Sequence, residues 1–256
     1  MLPAHGRIDC RQCLSGCDYK KEMDGRFLVT NNPCAWGSQN PMVMVLGQTK
    51  GATQNEALDE AHSEEDFTRV AFDGSRPALF ALLRSLGLCM HVQNLDPLFE
   101  ETENDWHWGS FIRCSVMGKS SKKPGWHSGS PEVSPLYKAP EAGALPRTCV
   151  KEHLSTLPPR LKLVLMLGNS NAHIKNVQSA LAQTHSIVKI PKNEMAYIAG
   201  GVMWVHILHP SPAAIAYRQQ FIAADPRTTQ GVKALQARAA INMALKGADL
   251  PGYLSL

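Results

Sequence analysis

The sequence predicts an α/β fold, namely a three-layer α/β/α sandwich around a central four-stranded parallel sheet. The predicted strands are four short apolar runs, residues 42–46, 110–113, 161–167 and 202–208. Glycine follows two of these runs, at Gly47 and Gly168, which is typical of a parallel strand that enters a loop at its carboxyl end. Helix-like segments separate the runs, and strands that alternate with helices favour a parallel sheet with both faces covered.

Three segments have the periodicity of amphipathic helices. Residues 77–86 place four leucines on one face, and residues 170–184 and 229–246 also pattern as helices, the last being rich in alanine and leucine. Apolar residues spaced three and four apart form the stripe with which a helix packs on a sheet. Ligands bind at the carboxyl ends of the strands in such folds, so we expect functional residues in the loops that follow them.

Composition indicates one domain, residues 1–256, in an intracellular protein. The chain has 256 residues, 44% of them hydrophobic, and no apolar run approaches the roughly 20 residues that a bilayer requires. The N-terminus lacks the apolar segment of a secretory signal, so we expect a cytoplasmic, nucleoid-associated protein that does not bind membranes. A net charge of +4 permits a polyanionic partner without requiring one.

One stretch, residues 115–147, has no apolar period and is rich in Gly, Ser, Pro and Lys. We predict a long loop or lid inserted in the domain, because such a segment in a compact domain is usually functional or disordered. Its basic residues are Lys119, Lys122, Lys123, Lys138 and Arg147. Both a solvated insertion and a lid that contacts DNA fit this composition.

The seven cysteines favour metal binding or catalysis over disulfides, because intracellular thiols stay reduced. Cys10 and Cys13 form a C-x-x-C motif with Cys17 four residues further on, and Cys114 and Cys149 flank the predicted lid. Four thiolates ligate an iron–sulfur cubane. The C-x-x-C motif alone also fits a zinc site, and each of the two later cysteines alone fits a buried apolar residue.

The order of these cysteines resembles the iron–sulfur branch, the family-4 type, of the uracil-DNA glycosylase superfamily. The run F-I-R-C ends at Cys114, and R-T-C ends at Cys149, ahead of the apolar run that leads to Gly168. The resemblance implies that Cys10, Cys13, Cys114 and Cys149 hold a structural [4Fe–4S] cluster. It leaves Cys17 as a substitute for one of the first two ligands.

Four further motifs occur in the family's order. G-Q-T-K-G at residues 47–51 stands in place of G-E-A-P-G, and residues 71–79 resemble P-F-V-G-x-A-G-x-L. L-G-N-S-N-A at residues 167–172 is similar to L-G-x-x-A, and H-P-S at residues 209–211 matches the family's H-P-S motif. The resemblance covers most of the chain and implies a uracil-DNA glycosylase-like fold with DNA glycosylase activity.

The resemblance assigns these motifs roles in excising a base that has been flipped out of the duplex. Phe72 is expected to stack on the base, and His209 is expected to donate a hydrogen bond to the negative charge that develops on the departing base. Gly47, Thr49 and Ser110 are expected to line the base pocket.

DNA is the expected partner, and the protein is expected to act as a monomer. Lys50, Pro210 and Ser211 are expected to contact the DNA backbone, together with Lys122 and Lys123 of the predicted lid. Hydroxyl groups, loop amides and lysines are ordinary ligands of phosphate.

Two departures from the family pattern bear on the chemistry. Gln48 replaces the acidic residue of G-E-A-P-G; a glutamine orients water but cannot take its proton, so Asp73 is the candidate replacement acid. Ser110 stands where the family carries an asparagine that reads the uracil edge, and the smaller residue enlarges the pocket. We therefore expect a bulkier pyrimidine than uracil, such as a hydroxymethylated or glycosylated base of modified viral DNA, and a role in antiviral defence; uracil is the alternative substrate.

Two other classes of function stay open. A superfamily relative without its acid would bind unusual or modified DNA and leave it intact. A zinc-dependent nucleic-acid-binding protein would use Cys10, Cys13 and Cys17. Colour separates the metals, because an iron–sulfur protein absorbs near ~400 nm and a zinc protein is colourless.

Overall fold

Two β-sheets organise the computed structural model, which describes residues 2–14 and 19–256. The strands are β1 Gly6–Arg7, β2 Lys20–Met23, β3 Phe27–Thr30, β4 Cys34–Gly37, β5 Val43–Gly47, β6 Trp106–Ser110, β7 Ser115–Lys119, β8 Trp126–His127, β9 Leu163–Leu167, β10 Ile187–Lys189, β11 Ala196–Ala199 and β12 Val202–Ile207. The α-helices are α1 Ala52–Glu60, α2 Glu64–Val70, α3 Arg76–Ser85, α4 Ser130–Val133, α5 Leu145–His153, α6 Asn171–Leu181, α7 Ile215–Ala223 and α8 Thr229–Ala244. Within these ranges the larger sheet has the strand order β1-β4-β6-β5-β9-β12-β11-β10, and the smaller one β2-β3-β7-β8.

The middle strands of the larger sheet run parallel, and its edge strands run antiparallel to their neighbours. β5 pairs in parallel with β6 and β9, and β9 pairs in parallel with β12. Antiparallel pairs add β4 and β1 at one edge and β11 and β10 at the other. The sheet is therefore mixed and eight-stranded, which corrects the expectation of four parallel strands alone.

Three of the predicted strands match β5, β9 and β12 to within two residues. The fourth is wrong, because residues 110–113 mostly follow β6 rather than form it. β6 is hard to detect in the sequence because it contains His107, whose polar ring is buried and whose Nδ1 bonds the Ser38 carbonyl at 2.8 Å. The chain then bends, and the amides of Phe111 and Ile112 donate to the carbonyls of residues 47 and 48.

Each face of the larger sheet carries its own apolar core, because successive side chains of a strand point to opposite sides. Val43 and Val45 of β5 pack in the core that includes α3, α7 and α8. Met44 and Leu46 pack in the core that includes α5, α6 and the smaller sheet. Burial on both faces, at about 25 cal/mol per Å² of apolar surface, supplies the main favourable contribution to the stability of the sheet.

The predicted helices correspond to α3, α6 and α8. Ser170 precedes α6, and its side chain accepts a hydrogen bond from the amide of His173; Thr228 caps α8 in the same way through Gly231. Such caps satisfy amides that the first turn of a helix leaves unpaired. In the described ranges, every helix is too short or too polar to cross a bilayer.

The segment 115–147, for which a long loop or lid was predicted, contains regular secondary structure. It contains β7, β8, α4 and the start of α5, with 3-10 turns between them. β7 pairs with β3 and with β8, which makes the segment part of the smaller sheet. Lys119 of β7 donates to the Glu22 carboxylate at 2.7 Å. This basic residue therefore has a partner within the protein.

Candidate active site and thiol cluster

The carboxyl ends of the parallel strands meet at one edge of the larger sheet, where the predicted motifs lie. Gly47 at the end of β5 is opposite Ser110 at the end of β6. Gly168 follows β9, and its amide donates to the carbonyl of Ile207, the last residue of β12, at 2.8 Å. His209 follows two residues later. Segments that are far apart in the sequence thus surround one edge.

His209 presents a neutral imidazole whose donor is Nε2. The Ser211 amide donates to His209 Nδ1 at 3.1 Å, so the proton of the neutral ring lies on Nε2. The side chain reaches the surface, yet the protein around the ring removes enough water to lower its pKa. The Nε2–H group is therefore available to an acceptor at the sheet edge.

Two buried histidines lie behind His209. His206 Nδ1 donates to the Gly168 carbonyl at 2.9 Å, and His206 Nε2 accepts from the Tyr197 hydroxyl at 3.2 Å. The ring of His173 lies 5.6 Å from that of His206, and its buried Nε2 has no partner among the described residues. Burial lowers the pKa of His206 to about 3 and that of His173 to about 4. Both rings are therefore neutral at pH 7.

The turn after β9 is fixed from two sides. Gly168 has φ +123°, and a Cβ there would lie 2.7 Å from His173 Cδ2, so glycine is required both by its backbone and by its neighbour. Asn169 Nδ2 donates to Gln230 Oε1 at 2.8 Å, and the Asn169 carbonyl accepts from Lys233 Nζ at 2.6 Å. Helix α8 thus holds the turn in place.

Phe72 has a left-handed backbone with φ 53°, which is strained for a residue with a side chain. Its ring packs on Phe99 and Trp108 at centroid distances of 6.0 and 5.9 Å. A Cβ on Gly47 would lie 4.0 Å from Phe72 Cε1. The strained turn therefore places the ring of Phe72 next to Gly47. The sequence predicts that this ring stacks on the base.

Gln48 carries an unused donor in an otherwise fixed loop. The carbonyls of Gly47 and Gln48 accept from the amides of Phe111 and Ile112 at 2.8 and 2.9 Å. The Gln48 Nε2 atom is buried and has no partner in the described part of the chain. A buried amide without a partner is unfavourable until a ligand or water occupies it, so this position favours binding a polar group.

Thr49 and Lys50 do not have their predicted roles. Thr49 Oγ1 donates to the Cys114 carbonyl at 2.7 Å and accepts from the Val116 amide at 3.0 Å, so the hydroxyl is not free to contact a base. Lys50 is 1% exposed, and its ammonium group donates to the Arg113 carbonyl, so it cannot reach DNA phosphate. Both predictions are wrong, and both side chains instead tie the loop to residues 113–114.

Asp73 lies away from the histidines. Its carboxylate accepts from the Gly74 amide at 2.7 Å. Asp73 borders a groove of about 480 Å³ whose other walls come from α1 and α2 together with Arg76 and Asp96. This position does not support the predicted role of Asp73 as a replacement acid.

The remaining predicted contacts stay predictions. Ser110 is buried at the end of β6, and Pro210 is buried beside His209, where its carbonyl accepts from Arg218. Ser211 is half-buried, and its amide orients His209. Lys122 and Lys123, the predicted DNA contacts of the lid, have exposed side chains and lie in the connection between β7 and β8.

The predicted ligand cysteines converge next to the 47–51 loop, which contacts their segment through Thr49 and Lys50. The Cys149 thiol donates a hydrogen bond to Cys13, which lowers the pKa of Cys13 to about 7. Cys114 interacts electrostatically with Cys10 and Cys13, and Cys149 with Cys114. Cys114 and Cys149 are buried, whereas Cys10 and Cys13 are half-buried. Cys17 lies outside the described residues.

A single metal ion and an iron–sulfur cubane require different arrangements of thiols. Across residues 2–14 and 19–256, no three His, Cys, Asp or Glu side chains are arranged to bind one ion. A mononuclear zinc site holds every thiolate at about 2.3 Å from one point. A cubane spreads four thiolates over the corners of a larger body, so it requires thiols that converge without sharing one centre.

Two buried cations lie beside these thiols. Arg113 is 1% exposed, and its Nη atoms lie 3.4 Å from His107 Nε2, while its Nε has no partner among the described residues. Burial lowers the pKa of His107 to about 3, so this histidine offers no charge. Arg113 interacts electrostatically with Cys149, and Lys50 with Cys114. Positive charge therefore faces the thiol group from within the protein.

Two residues of the site had no predicted role. His173 lies in an amphipathic helix, where a histidine gives no signal of a contact with the β9 turn. Arg113 adjoins a predicted ligand, but its burial depends on β4 and β6, whose pairing the sequence does not reveal. A basic residue next to a candidate cluster cysteine is the signal that would have identified it.

Comparison with known proteins gave no family model that matches the chain and no matching curated protein.

Proposed function

We propose that the protein is a monofunctional DNA glycosylase that resembles the iron–sulfur uracil-DNA glycosylases in fold and chemistry. The observation that carries the proposal is the neutral His209, whose Nε2–H donor lies at the sheet edge where the β5, β6 and β9 loops meet. A donor that needs no charge is suited to an acceptor that becomes negative during the reaction.

The reaction breaks the bond between a base nitrogen and C1′ of the sugar. The electron pair of that bond leaves with the base, and negative charge develops on a base oxygen. His209 Nε2–H donates a hydrogen bond to that oxygen, and a water oxygen then forms the new bond to C1′ while its proton passes to solvent. The products are a free base and an abasic site in DNA.

The base reaches this donor only after it is flipped out of the helix. Phe72, held in its strained turn, supplies an aromatic face for stacking, worth roughly 1–3 kcal/mol. Gly47 and Ser110, two small residues that lie opposite each other at the strand ends, are the proposed neighbours of the stacked base. Ser211 and the exposed Lys122 and Lys123 are the proposed contacts to the DNA backbone.

Water activation is weak in this site. The unused Gln48 amide orients a polar group but takes no proton. Loss of general-base assistance costs on the order of 10²–10⁴-fold in rate. A substrate whose glycosidic bond dissociates before water attacks tolerates that loss, so leaving-group stabilisation by His209 is the main contribution.

The substrate that we propose is a pyrimidine bulkier than uracil. Ser110 is smaller than the asparagine of the family pattern and lacks the amide that would pair with the uracil edge. Hydroxymethylated or glycosylated pyrimidines of modified viral DNA fit these features, which suggests a role in antiviral defence. Uracil is the alternative substrate.

Cys10, Cys13, Cys114 and Cys149 would hold a [4Fe–4S] cluster. When bound, the cluster would act as a structural cross-link between the N-terminus, the segment after β6 and α5. Convergence of four thiols and the buried positive charge beside them support this assignment.

Formation of abasic sites tests the proposal directly. Duplexes and single strands that carry one uracil, 5-hydroxymethyl or glycosylated pyrimidine are incubated with the protein and then treated with alkali. Strand cleavage at the modified position is the expected result, faster for the bulky pyrimidines than for uracil. Excision of uracil alone would contradict the substrate assignment.

A binding module is the second candidate, and the position of Asp73 favours it. With Gln48 in place of an acid and Asp73 facing another groove, the site holds no evident proton acceptor. Tight binding of the modified duplexes without cleavage, by protein that carries its full iron content, would support this alternative.

A further inference from the structure

Two basic side chains are buried between the 47–51 loop and the thiol group. Lys50 and Arg113 are each 1% exposed. In the part of the chain that the structure describes, no carboxylate lies within ion-pair distance of either one, and their partners are the Arg113 carbonyl and the neutral His107 ring. Cys34, which both cations approach, stays uncharged because burial raises its pKa.

A buried charge without a counter-charge strongly destabilises a folded protein. The arrangement therefore indicates that negative charge is normally present nearby. Among the described residues, Cys34 faces both cations, Lys50 also faces Cys114, and Arg113 also faces Cys149. Because Cys34 is uncharged, Cys114 and Cys149 are the groups that could supply this negative charge.

An oxidised [4Fe–4S] core with four thiolates has a net charge of about −2. We infer that Lys50 and Arg113 are the counter-charges of this cluster, and that Lys50 makes the 47–51 loop depend on it. The inference rests on the cluster of the proposed function. It assigns these residues as positioning residues, because neither reaches the substrate.

The 47–51 loop and the cluster segment are joined by two side chains. Lys50 Nζ donates to the Arg113 carbonyl, and Thr49 Oγ1 donates to the Cys114 carbonyl at 2.7 Å. When the cluster is lost, Lys50 is left buried without an anion. Because Lys50 lies on a loop, it reaches water by moving, and its movement carries Gln48 and Gly47 out of the base pocket.

Arg113 does not have this freedom. Its guanidinium lies against Gly109, where a Cβ would collide with Nη1, and it contacts His107 inside the sheet. The two cations therefore respond differently to loss of the cluster: Arg113 stays in the core, and Lys50 opens the loop. The base pocket forms fully only in protein that carries the cluster.

Lys50→Met tests this coupling, because methionine fills a similar volume without charge. Starting from holoprotein, the cluster is removed by a chelator while amide exchange of residues 47–51 is followed. In wild type, exchange of the loop is expected to rise at least tenfold as the visible absorbance falls. In Lys50→Met, loop exchange is expected to stay slow, since no charge drives the loop outward.

A second measurement separates charge from packing. Removing a cation beside an anionic cluster disfavours the added electron, so the midpoint reduction potential of the Lys50→Met holoprotein is expected to fall below that of wild type. Lys50→Arg, which keeps the charge, is expected to restore the wild-type potential. The exposed Lys246→Met is the matched control and is expected to leave potential and loop exchange unchanged.

The outcomes are distinguishable. Wild-type protein that binds no iron and sulfide would overturn the cluster of the proposed function and this inference with it. Holoprotein in which Lys50→Met matches wild type in both potential and loop exchange would overturn the inference alone. A lower potential in Lys50→Met that Lys50→Arg restores would support it.

Discussion

The histidine region around His209 and the thiol region beside the 47–51 loop bury ionisable groups of different kinds. On the side of His209, burial keeps His173 and His206 neutral and lowers the pKa of His209 itself. On the side of the thiols, two basic side chains, Lys50 and Arg113, are fully buried.

The difference lies in what each side faces. Neutral imidazoles are stable where no charge is present before the reaction, and a neutral donor responds only when the departing base becomes negative. Permanent cations are stable only beside a permanent anion. The comparison therefore assigns a transient negative charge to the histidine side and a resident one to the thiol side.

Removing a ligand thiol is expected to have the largest effect. Cys149→Ala should lose the absorbance near ~400 nm together with bound iron, because a cubane requires four protein ligands. Cys89→Ala is the matched control, since Cys89 is buried in the other core and lies apart from the thiol group. Equal iron content in Cys149→Ala and Cys89→Ala would contradict the proposal that Cys149 helps to hold an anionic cluster.

His209→Ala is expected to lower the rate of base release by about 10²–10³-fold, which is the loss seen when one donor to a developing anion is removed. Single-turnover kinetics at saturating enzyme measures this rate without a contribution from DNA affinity. His62→Ala, a change at an exposed histidine, is the control. Full activity in His209→Ala would show that the histidine side does not stabilise the leaving base.

Acid is expected to destabilise the fold through the buried histidines. The pKa of His173 is about 4 in the folded protein and about 6.5 in an unfolded chain, so between these values the unfolded state binds the additional proton. Stability is therefore highest above pH 6.5 and falls as the pH drops to 4, by about 3 kcal/mol for this group.

Urea unfolding at a series of pH values measures this loss. His173→Leu should flatten the decline between pH 6.5 and 4, whereas the exposed His62→Ala should leave it unchanged. A decline of the same steepness in His173→Leu would mean that His173 is not buried as a neutral ring.

The smallest effect is expected at the exposed lysines. Lys122→Ala and Lys123→Ala should each weaken DNA binding alike for all sequences and reduce the slope of log affinity against log salt by about 1. Lys246→Ala is the control. An unchanged slope in both variants would place the β7–β8 connection outside the DNA contact.

Sequence and structure agree best where residue chemistry leaves few alternatives. Four cysteines spread from Cys10 to Cys149 were predicted to converge, and the structure brings them within electrostatic range. Glycine after a buried strand likewise located the ends of β5 and β9, and at Gly168 the left-handed backbone, with φ +123°, requires glycine.

Prediction failed where a role depends on the direction of a side chain. Lys50 looked like a DNA contact because it is a lysine in a loop, yet three-dimensional contacts turn it inward to Arg113. Asp73 adjoins Phe72 in sequence but faces another groove. β6 was misplaced because its polar His107 is satisfied by Ser38, a contact that no local pattern contains.

The most direct test of the account is to identify the released product. Iron-loaded wild type and His209→Ala are incubated with duplexes that carry one bulky modified pyrimidine, and the mixture is analysed by mass spectrometry. The account predicts free modified base and an abasic strand with wild type, and at least a hundredfold less of both with His209→Ala. Intact strands with iron-loaded wild type, or equal release by the two proteins, would contradict it.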